Sequence, residues 1–91
     1  MLKIRFTNKM KRDVKLLKKS GKHINKLTDI LNLLVSQGPM PERYFDHQLT
    51  GLYKDFRECY IEPDWLLVYQ VSEDTLILSA SGIGTHSNLF S

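Results

Sequence analysis

The sequence predicts an α+β fold in which two helices pack on one face of a twisted antiparallel sheet of four or five strands. Three features predict it: an alternating N-terminal segment, two amphipathic segments separated by Gly21, and a C-terminal half of strand-forming residues and tight turns. The 91 residues suit one domain, residues 1–91. The sequence holds no apolar run of the roughly 20 residues that a membrane helix needs.

The N-terminal third predicts a strand followed by a helix. Residues 2–6 alternate apolar and basic side chains, which is the period of a half-buried strand. Thr7 or Asn8 can cap the helix that follows. Gly21 is expected to end this helix, whose apolar stripe comprises Met10, Val14 and Leu17.

A second helix is predicted up to Gln37-Gly38-Pro39, where glycine ends a helix and proline prevents its continuation. Together with the Gly21 turn, it forms an antiparallel helical hairpin. Its apolar face is continuous and comprises Ile24, Leu27, Ile30, Leu31, Leu34 and Val35.

The rest of the chain predicts a connector over residues 38–50 and then a β-meander. Residues 52–61, 65–71 and 75–80 are strand-like, and they are separated by turns at Pro63-Asp64 and Glu73-Asp74. The nearly continuous apolar run 65–71 is typical of a central strand covered on both faces. Two tight turns imply antiparallel pairing, which the N-terminal strand is expected to join.

Positive charge is concentrated at the N-terminus. Residues 1–26 carry ten of the thirteen Lys and Arg and one acid, a local charge of +9, whereas the remainder carries −6. This asymmetry is typical of a surface for nucleic acid or for an acidic protein partner, and also of a solvated lysine-rich helix face. The single cysteine, Cys59, cannot form an internal disulfide, and this favours a reducing cytoplasm.

Two histidines and an aspartate are the candidates for proton transfer. RNA cleavage needs no metal when the 2′-hydroxyl attacks, but it needs a base near that hydroxyl and an acid near the leaving 5′ oxygen. His47 precedes the β-meander, Asp64 lies in a turn, and His86 lies near the C-terminus. Each residue also has a purely structural explanation. His47 could be a surface-loop imidazole, Asp64 a turn-forming residue, and His86 part of a polar chain end.

Other residues could bind the substrate. Tyr60 and Trp65 flank the Asp64 turn and could stack on an unpaired base, although core packing is the commoner role of strand aromatics. Lys54 and Arg57 could neutralise a phosphate. Cys59 is expected to be a small core residue. No pair of possible ligands has the short spacing of structural zinc sites, so neither metal nor cofactor is expected.

Three blocks, in this order and spacing, resemble the YafQ branch of the RelE-type toxins over the whole chain. They are Asp46-His47-x-Leu49-x-Gly51, Phe56-Arg57-Glu58-Cys59-Tyr60-Ile61-x-Pro63-Asp64-Trp65-Leu66-Leu67-Val68-Tyr69 and Gly84-Thr85-His86-Ser87-x-Leu89-Phe90. The resemblance implies a bacterial type II toxin that enters the ribosomal A site and cuts mRNA there. It implies a DinJ/RelB-like antitoxin as partner, contact with operator DNA only through that complex, and no membrane partner. On matching positions, it implies site residues His47, Asp64, His86 and Phe90, with Trp65 beside Asp64.

Two positions depart from the family pattern. Many relatives have histidine where this chain has Tyr60, and arginine where it has Gly82. Tyrosine is a poor base at neutral pH, and a missing arginine removes a positive group from the phosphate. The alternatives are therefore an active mRNA interferase, an attenuated toxin that still binds its antitoxin and represses its operon, and an RNA-binding module unrelated to toxins.

Overall fold

Two helices pack on one face of a five-stranded mixed sheet, which confirms the predicted α+β fold class. The computed structural model describes residues 1–84 of the chain. The elements are β1 (Lys3–Phe6), α1 (Asn8–Lys19), α2 (Ile24–Ser36), β2 (His47–Gln48), β3 (Arg57–Glu62), β4 (Trp65–Ser72) and β5 (Thr75–Ile83), with 3-10 turns at Glu42–Tyr44 and Gly51–Tyr53. In this part of the chain, neither helix is long and apolar enough to cross a membrane.

The strand order is β1-β5-β4-β3-β2, and the β3–β4–β5 meander is antiparallel as predicted. The expectation of a wholly antiparallel sheet is wrong for β1, which pairs with β5 in parallel. Tight turns force antiparallel pairing only between the strands that they join. No such turn joins β1 to β5, because two helices and three strands lie between them in the sequence, so β1 can run in the same direction as β5.

Local signals placed the helices correctly. The Thr7 hydroxyl accepts a hydrogen bond from the Met10 backbone N–H at 3.1 Å, so Thr7 is the N-cap of α1. Met10 and Leu17 are buried. Gly21 adopts a φ of +86°, a conformation that glycine reaches without steric cost, and the chain then turns into α2. Helix α2 buries Leu27, Ile30 and Leu34.

The region between α2 and β3 differs from the prediction. The connector contains the short strand β2, which pairs with the start of β3. The strand predicted from residue 52 begins only at Arg57, because Gly51–Tyr53 form a 3-10 turn. Gly51 has a φ of +64°, which a strand does not accommodate.

β4 is the middle strand of the sheet, and its first five residues, Trp65 to Tyr69, are at most 2% exposed. Trp65, Leu67 and Tyr69 belong to the core beneath the helices, whereas Leu66 and Val68 are buried on the opposite face. Burial on both faces was the prediction for this strand. Neighbouring Cys59 is fully buried, which raises the pKa of its thiol to about 12 and keeps it a protonated core residue, as expected.

Candidate active site

Strand register determines which candidate residues share a face. His47 pairs with Glu58, and Glu58 pairs with Val68 on the next strand. Tyr60 pairs with Leu66. Directly paired residues project from the same face, and alternate residues of a strand do as well. His47, Glu58 and Tyr60 therefore lie on the face of the sheet that the helices leave uncovered.

His47 is held between two oxygen atoms. Its Nδ1 lies 2.6 Å from the Phe45 carbonyl oxygen, and its Nε2 lies 3.6 Å from Oε1 of Glu58. Since a carbonyl can only accept, Nδ1 carries a proton. The Glu58 carboxylate faces the other nitrogen at a distance slightly beyond a hydrogen bond. The ring remains 46% exposed, so a substrate can reach it.

Glu58 was missed by the sequence reasoning. Its side chain is only 3% exposed, which is unusual for a carboxylate unless it is paired. The signal was present in the sequence: Glu58 interrupts a strand next to buried Cys59 and therefore projects from the opposite face. Without the β2–β3 register, nothing connected this carboxylate to His47.

Tyr60 lies two residues beyond Glu58 on the same face. It is half-buried, and its ring meets that of Phe45 edge to face, with centroids 6.2 Å apart and an angle of 85°. Gly82 of β5 pairs with Leu66, which itself pairs with Tyr60, so all three share this face. The two departures from the family pattern are thus in the same row of the sheet.

Asp64 lies in the tight turn between β3 and β4, and its side chain is 61% exposed. Its carboxylate is 3.6 Å from Nζ of Lys22, and its backbone oxygen accepts the Gly84 N–H at 2.8 Å. The segment that begins at Gly84 therefore starts beside Asp64. His86 and Phe90, which belong to that segment, lie outside the described residues.

His47 and Asp64 are not in direct contact. Asp64 precedes Val68 by four positions, and Val68 is the residue of β4 that lies across from Glu58, the partner of His47. At roughly 3.4 Å per residue, this is about 14 Å along the sheet. Tyr60 lies between these two levels. The fold thus brings His47, Glu58 and Tyr60 together in one strip of the face opposite the helices. Asp64 lies beyond the end of this strip, in a turn where its carboxylate is near Lys22 of the helical hairpin.

Two lysines of the helical hairpin hold the hairpin turn that carries Asp64. Lys22 and Lys26 donate to the Glu62 carboxylate at 2.8 and 2.6 Å, and hydrogen bonds from Lys22 and then Lys26 lower the pKa of Glu62 to about 2. The hydrogen bond to Glu62 raises the pKa of Lys22. Lys22 also lies 5.8 Å from the centre of the Trp65 ring. These contacts fix the turn relative to the helices.

Trp65 is not available for stacking on a base. The side chain is fully buried, and its indole N–H donates to the Ser81 hydroxyl at 2.9 Å. Ser81 in turn donates to the Leu66 carbonyl at 2.7 Å. The stacking hypothesis for Trp65 is wrong because this residue projects into the core beneath the helices, the commoner role of a strand aromatic. It can act on Asp64 only by fixing the adjacent backbone.

Arg57 is on the wrong face for a phosphate bound beside His47. Its Nη2 donates to Asp46 at 2.9 Å, it pairs with Gln48 and Tyr69 across the strands, and Tyr69 donates its own hydroxyl to Asp46. The hydrogen bond with Asp46 raises the pKa of Arg57, and burial followed by that carboxylate raises the pKa of Tyr69. The sequence alone did not reveal which face Arg57 occupies, because adjacent residues of a strand project from opposite faces.

Lys54 remains a candidate for phosphate contact. It follows the 3-10 turn Gly51–Tyr53 and is exposed, and its carbonyl accepts a hydrogen bond from the side-chain amide of Gln48. Within residues 1–84, its ammonium has no partner. In the same described range, no three His, Cys, Asp or Glu side chains cluster closely enough to hold a metal ion.

Comparisons with known proteins agree with the fold and the motifs. The family model "Bacterial toxin of type II toxin-antitoxin system, YafQ" matches residues 2–91. The mRNA interferase toxin YafQ of Escherichia coli K12 is 38% identical over 88 residues, which cover 96% of this chain and 94% of that protein. The crystal structure of a metal-bound toxin from Helicobacter pylori is 42% identical, with a TM-score of 0.87 and coverage of 99% and 100%. The E. coli DinJ-YafQ toxin-antitoxin complex contains a chain that is 35% identical, with a TM-score of 0.86 and coverage of 99% and 98%.

Proposed function

This chain belongs to the YafQ family of toxins from bacterial type II toxin-antitoxin systems, and on this basis we propose that it is an mRNA interferase that cuts mRNA in the ribosomal A site. The curated relative named mRNA interferase toxin supports endoribonuclease activity. One observation carries the proposal at the level of residues. The His47–Glu58 pair and Tyr60 share the face of the sheet opposite the helices, and Asp64 lies in the turn at one end of the sheet.

The proposed reaction uses the substrate's own nucleophile. The 2′-hydroxyl oxygen forms a bond to phosphorus while the bond from phosphorus to the 5′ oxygen breaks. A base takes the 2′-hydroxyl proton, and an acid protonates the leaving 5′ oxygen. Because the two oxygens lie on opposite sides of phosphorus, the base and the acid must be separated by the width of the linkage. His47 and Asp64 lie on either side of Tyr60, about 14 Å apart along the backbone, so both side chains must extend towards Tyr60 to reach one linkage.

The roles are assigned from the positions of the side chains. His47 acts as the acid through its accessible ring, which the Phe45 carbonyl binds at Nδ1 and the Glu58 carboxylate faces at Nε2. Asp64 acts as the base. His86, in the segment that follows Gly84, shares proton transfer or binds the phosphate. Tyr60 and Phe90 orient the substrate, and Lys54 neutralises the phosphate.

This chemistry requires no metal ion, because the attacking oxygen belongs to the substrate. The metal-bound H. pylori relative motivates the alternative, in which a bound ion supplies the positive charge. Cleavage in the presence of excess chelator distinguishes the two mechanisms. Undiminished rates support the metal-independent one, whereas loss of cleavage that added metal restores contradicts it.

The basic first third of the chain provides the ribosome contact in this proposal. Five exposed cations of α1 are free to face ribosomal RNA, namely Lys11, Arg12, Lys15, Lys18 and Lys19. Binding by cations that displace counterions from phosphates falls steeply with added salt. The toxin acts in the cytoplasm as a single domain, where it meets translating ribosomes. A DinJ/RelB-like antitoxin is its partner, by analogy with the E. coli complex, and operator DNA is contacted only through that complex.

A second candidate is a catalytically attenuated toxin that binds its antitoxin and co-represses its operon. Gly82 favours it, because this position faces the proposed site beside Tyr60 and offers no positive side chain. Loss of one such donor commonly costs about 2.7–4 kcal/mol of transition-state stabilisation. Antitoxin binding does not require that group.

Primer extension on translated mRNA, with purified protein and ribosomes, tests the proposal. We expect cleavage within the A-site codon and faster cleavage by Gly82→Arg and Tyr60→His. Val71→Ala, a substitution at the far end of β4, is the matched control and is expected to cleave like the wild type. If neither the wild type nor the two site variants cleave while antitoxin binding is retained, the chain is the attenuated homologue.

A further inference from the structure

A cavity of about 800 Å³ adjoins the proposed site, between α2, the 3-10 turn Glu42–Tyr44 and the end of β3. Three aromatic residues, Tyr44, Phe45 and Tyr60, contribute to its walls. We propose that this cavity binds the nucleobase next to the cleaved linkage. This inference depends on the proposed function, since it specifies how the same site holds its RNA substrate.

The aromatic walls suit a flat ring. Phe45 is 69% exposed, which is high for so large an apolar side chain, and its ring stands perpendicular to that of Tyr60. A base that stacks flat on the Phe45 ring is therefore perpendicular to the Tyr60 ring. Stacking on exposed aromatic rings is how proteins hold unpaired bases without reading their sequence.

The backbone of Phe45 couples this cavity to His47. Phe45 adopts a left-handed conformation with a φ of +48°, which is rare for a bulky residue and concentrates at functional sites. The same residue accepts the hydrogen bond from Nδ1 of His47 at 2.6 Å. One peptide unit thus sets both the position of the stacking ring and the orientation of the proposed acid. A base on Phe45 brings its own ribose-phosphate towards His47.

The charges that line the cavity favour an uncharged ligand. The two cations of the lining, Lys26 and Arg43, balance its two carboxylates. Lys26 pairs with Glu62, and the Arg43 guanidinium lies 4.6 Å over the Tyr44 ring and donates to the Tyr44 hydroxyl. Asp29 also lines the cavity and has no ion pair within the described residues. Carboxylates repel phosphate and accept the N–H groups of a base. The cavity therefore suits the base. The phosphate then lies outside the cavity, on the strip that carries His47, Glu58 and Tyr60.

Kinetics of variants at Phe45 test the proposal on programmed ribosomes. Phe45→Asn removes the ring but keeps a residue that tolerates a left-handed backbone, and Phe45→Tyr keeps the stacking surface. We expect Phe45→Asn to lower kcat/KM by about tenfold, which is within the range for loss of one base stack. The distant Val71→Ala is expected to stay near the wild type, whereas Phe45→Tyr, which keeps the stacking ring, is expected to lose less activity than Phe45→Asn. Unchanged kcat/KM in Phe45→Asn would overturn the proposal.

Binding is measured separately by NMR titration with an RNA trinucleotide whose 2′-O-methyl groups prevent cleavage. We expect the ring signals of Tyr44, Phe45 and Tyr60 to shift with the trinucleotide but not with inorganic phosphate. Shifts confined to the lysines of α1 would contradict base binding in the cavity. Ring shifts without ribosomal cleavage by the wild type would support the cavity and count against the proposed activity.

The competing occupant is an apolar side chain of an antitoxin. The same Phe45→Asn variant is titrated with the cognate antitoxin by calorimetry. Weaker antitoxin binding, together with unchanged cleavage and unchanged RNA-induced shifts, would assign the cavity to the antitoxin and overturn the proposal. Unchanged antitoxin affinity together with the kinetic loss supports the base-binding cavity.

Discussion

Asp46 and His47 are neighbours in the sequence, yet they belong to two different regions of the molecule. Asp46 projects towards the helix-covered face, where it binds Arg57 and the Tyr69 hydroxyl. His47 projects from the uncovered face, where it meets Glu58. Both residues contact β3, and Asp46, which directly precedes β2, also contacts β4. Their surroundings differ: the Asp46 side chain is 16% exposed, whereas the His47 ring is 46% exposed.

The difference shows how two neighbouring residues can serve structure on one face of the sheet and chemistry on the other. On the helix-covered face, Arg57 and Tyr69 use both oxygens of the Asp46 carboxylate, and the cluster closes the edge of the core. On the uncovered face, the buried Glu58 carboxylate orients an accessible imidazole. A polar group that only stabilises the fold needs no route to solvent. A group that transfers protons does need one.

The largest expected effect comes from His47→Gln. We expect the cleavage rate per folded molecule to fall by about 10²- to 10⁴-fold, because a general acid is removed. The melting temperature should change little, since the side chain is partly exposed. Cleavage of translated mRNA and thermal unfolding are measured on the same preparation. A variant that cleaves at the wild-type rate would remove His47 from the proposed mechanism.

Asp46→Ala is the matched variant on the helix-covered face. We expect it to lower the free energy of unfolding by about 1–3 kcal/mol, because Arg57 and Tyr69 lose their shared acceptor in a partly buried site. Molecules that remain folded should still cleave. Urea denaturation gives the stability, and cleavage is normalised to the folded fraction. Loss of activity without loss of stability would show that the two faces are not separate in function.

Glu62→Gln has a smaller effect that depends on pH. The pKa of Glu62 is lowered to about 2 in the folded chain by Lys22 and Lys26, against an ordinary value of 4.5. The ionised carboxylate therefore stabilises the fold above pH 4.5, and this contribution is lost as the pH falls towards 2. We expect the variant to melt lower than the wild type at pH 7, with a difference that narrows in acid. A difference that is constant with pH would assign the effect to packing.

Much of the fold could be predicted from local patterns. The cap at Thr7, the apolar stripes of both helices and the turn at Gly21 depend on neighbouring residues, and each was confirmed. The central position of β4 followed from its continuous apolar run. The parallel pairing of β1 and the short strand β2 could not be predicted, because neither is joined to its partner by a tight turn.

The candidate site was predictable in its residues and less so in its arrangement. The sequence blocks indicated His47, Asp64 and Tyr60, and the roles of these residues remain predictions. Glu58 was overlooked. Arg57 and Trp65 were candidates for substrate binding, and neither side chain faces the strip that carries His47. In a strand, a shift of one position reverses the face of every side chain. Small errors in register therefore become large errors in a proposed site.

The sequence by itself determined the positions of both helices, the antiparallel meander and membership in a toxin family, because each depends on local periodicity or on motif order. Only the tertiary structure decided that Glu58 lies beside His47, that Lys22 and Lys26 hold the turn next to Asp64, and that Trp65 belongs to the core. These contacts join residues that are distant in the chain. Strand pairing and helix packing create them, and neither leaves a local pattern by which the partners can be matched.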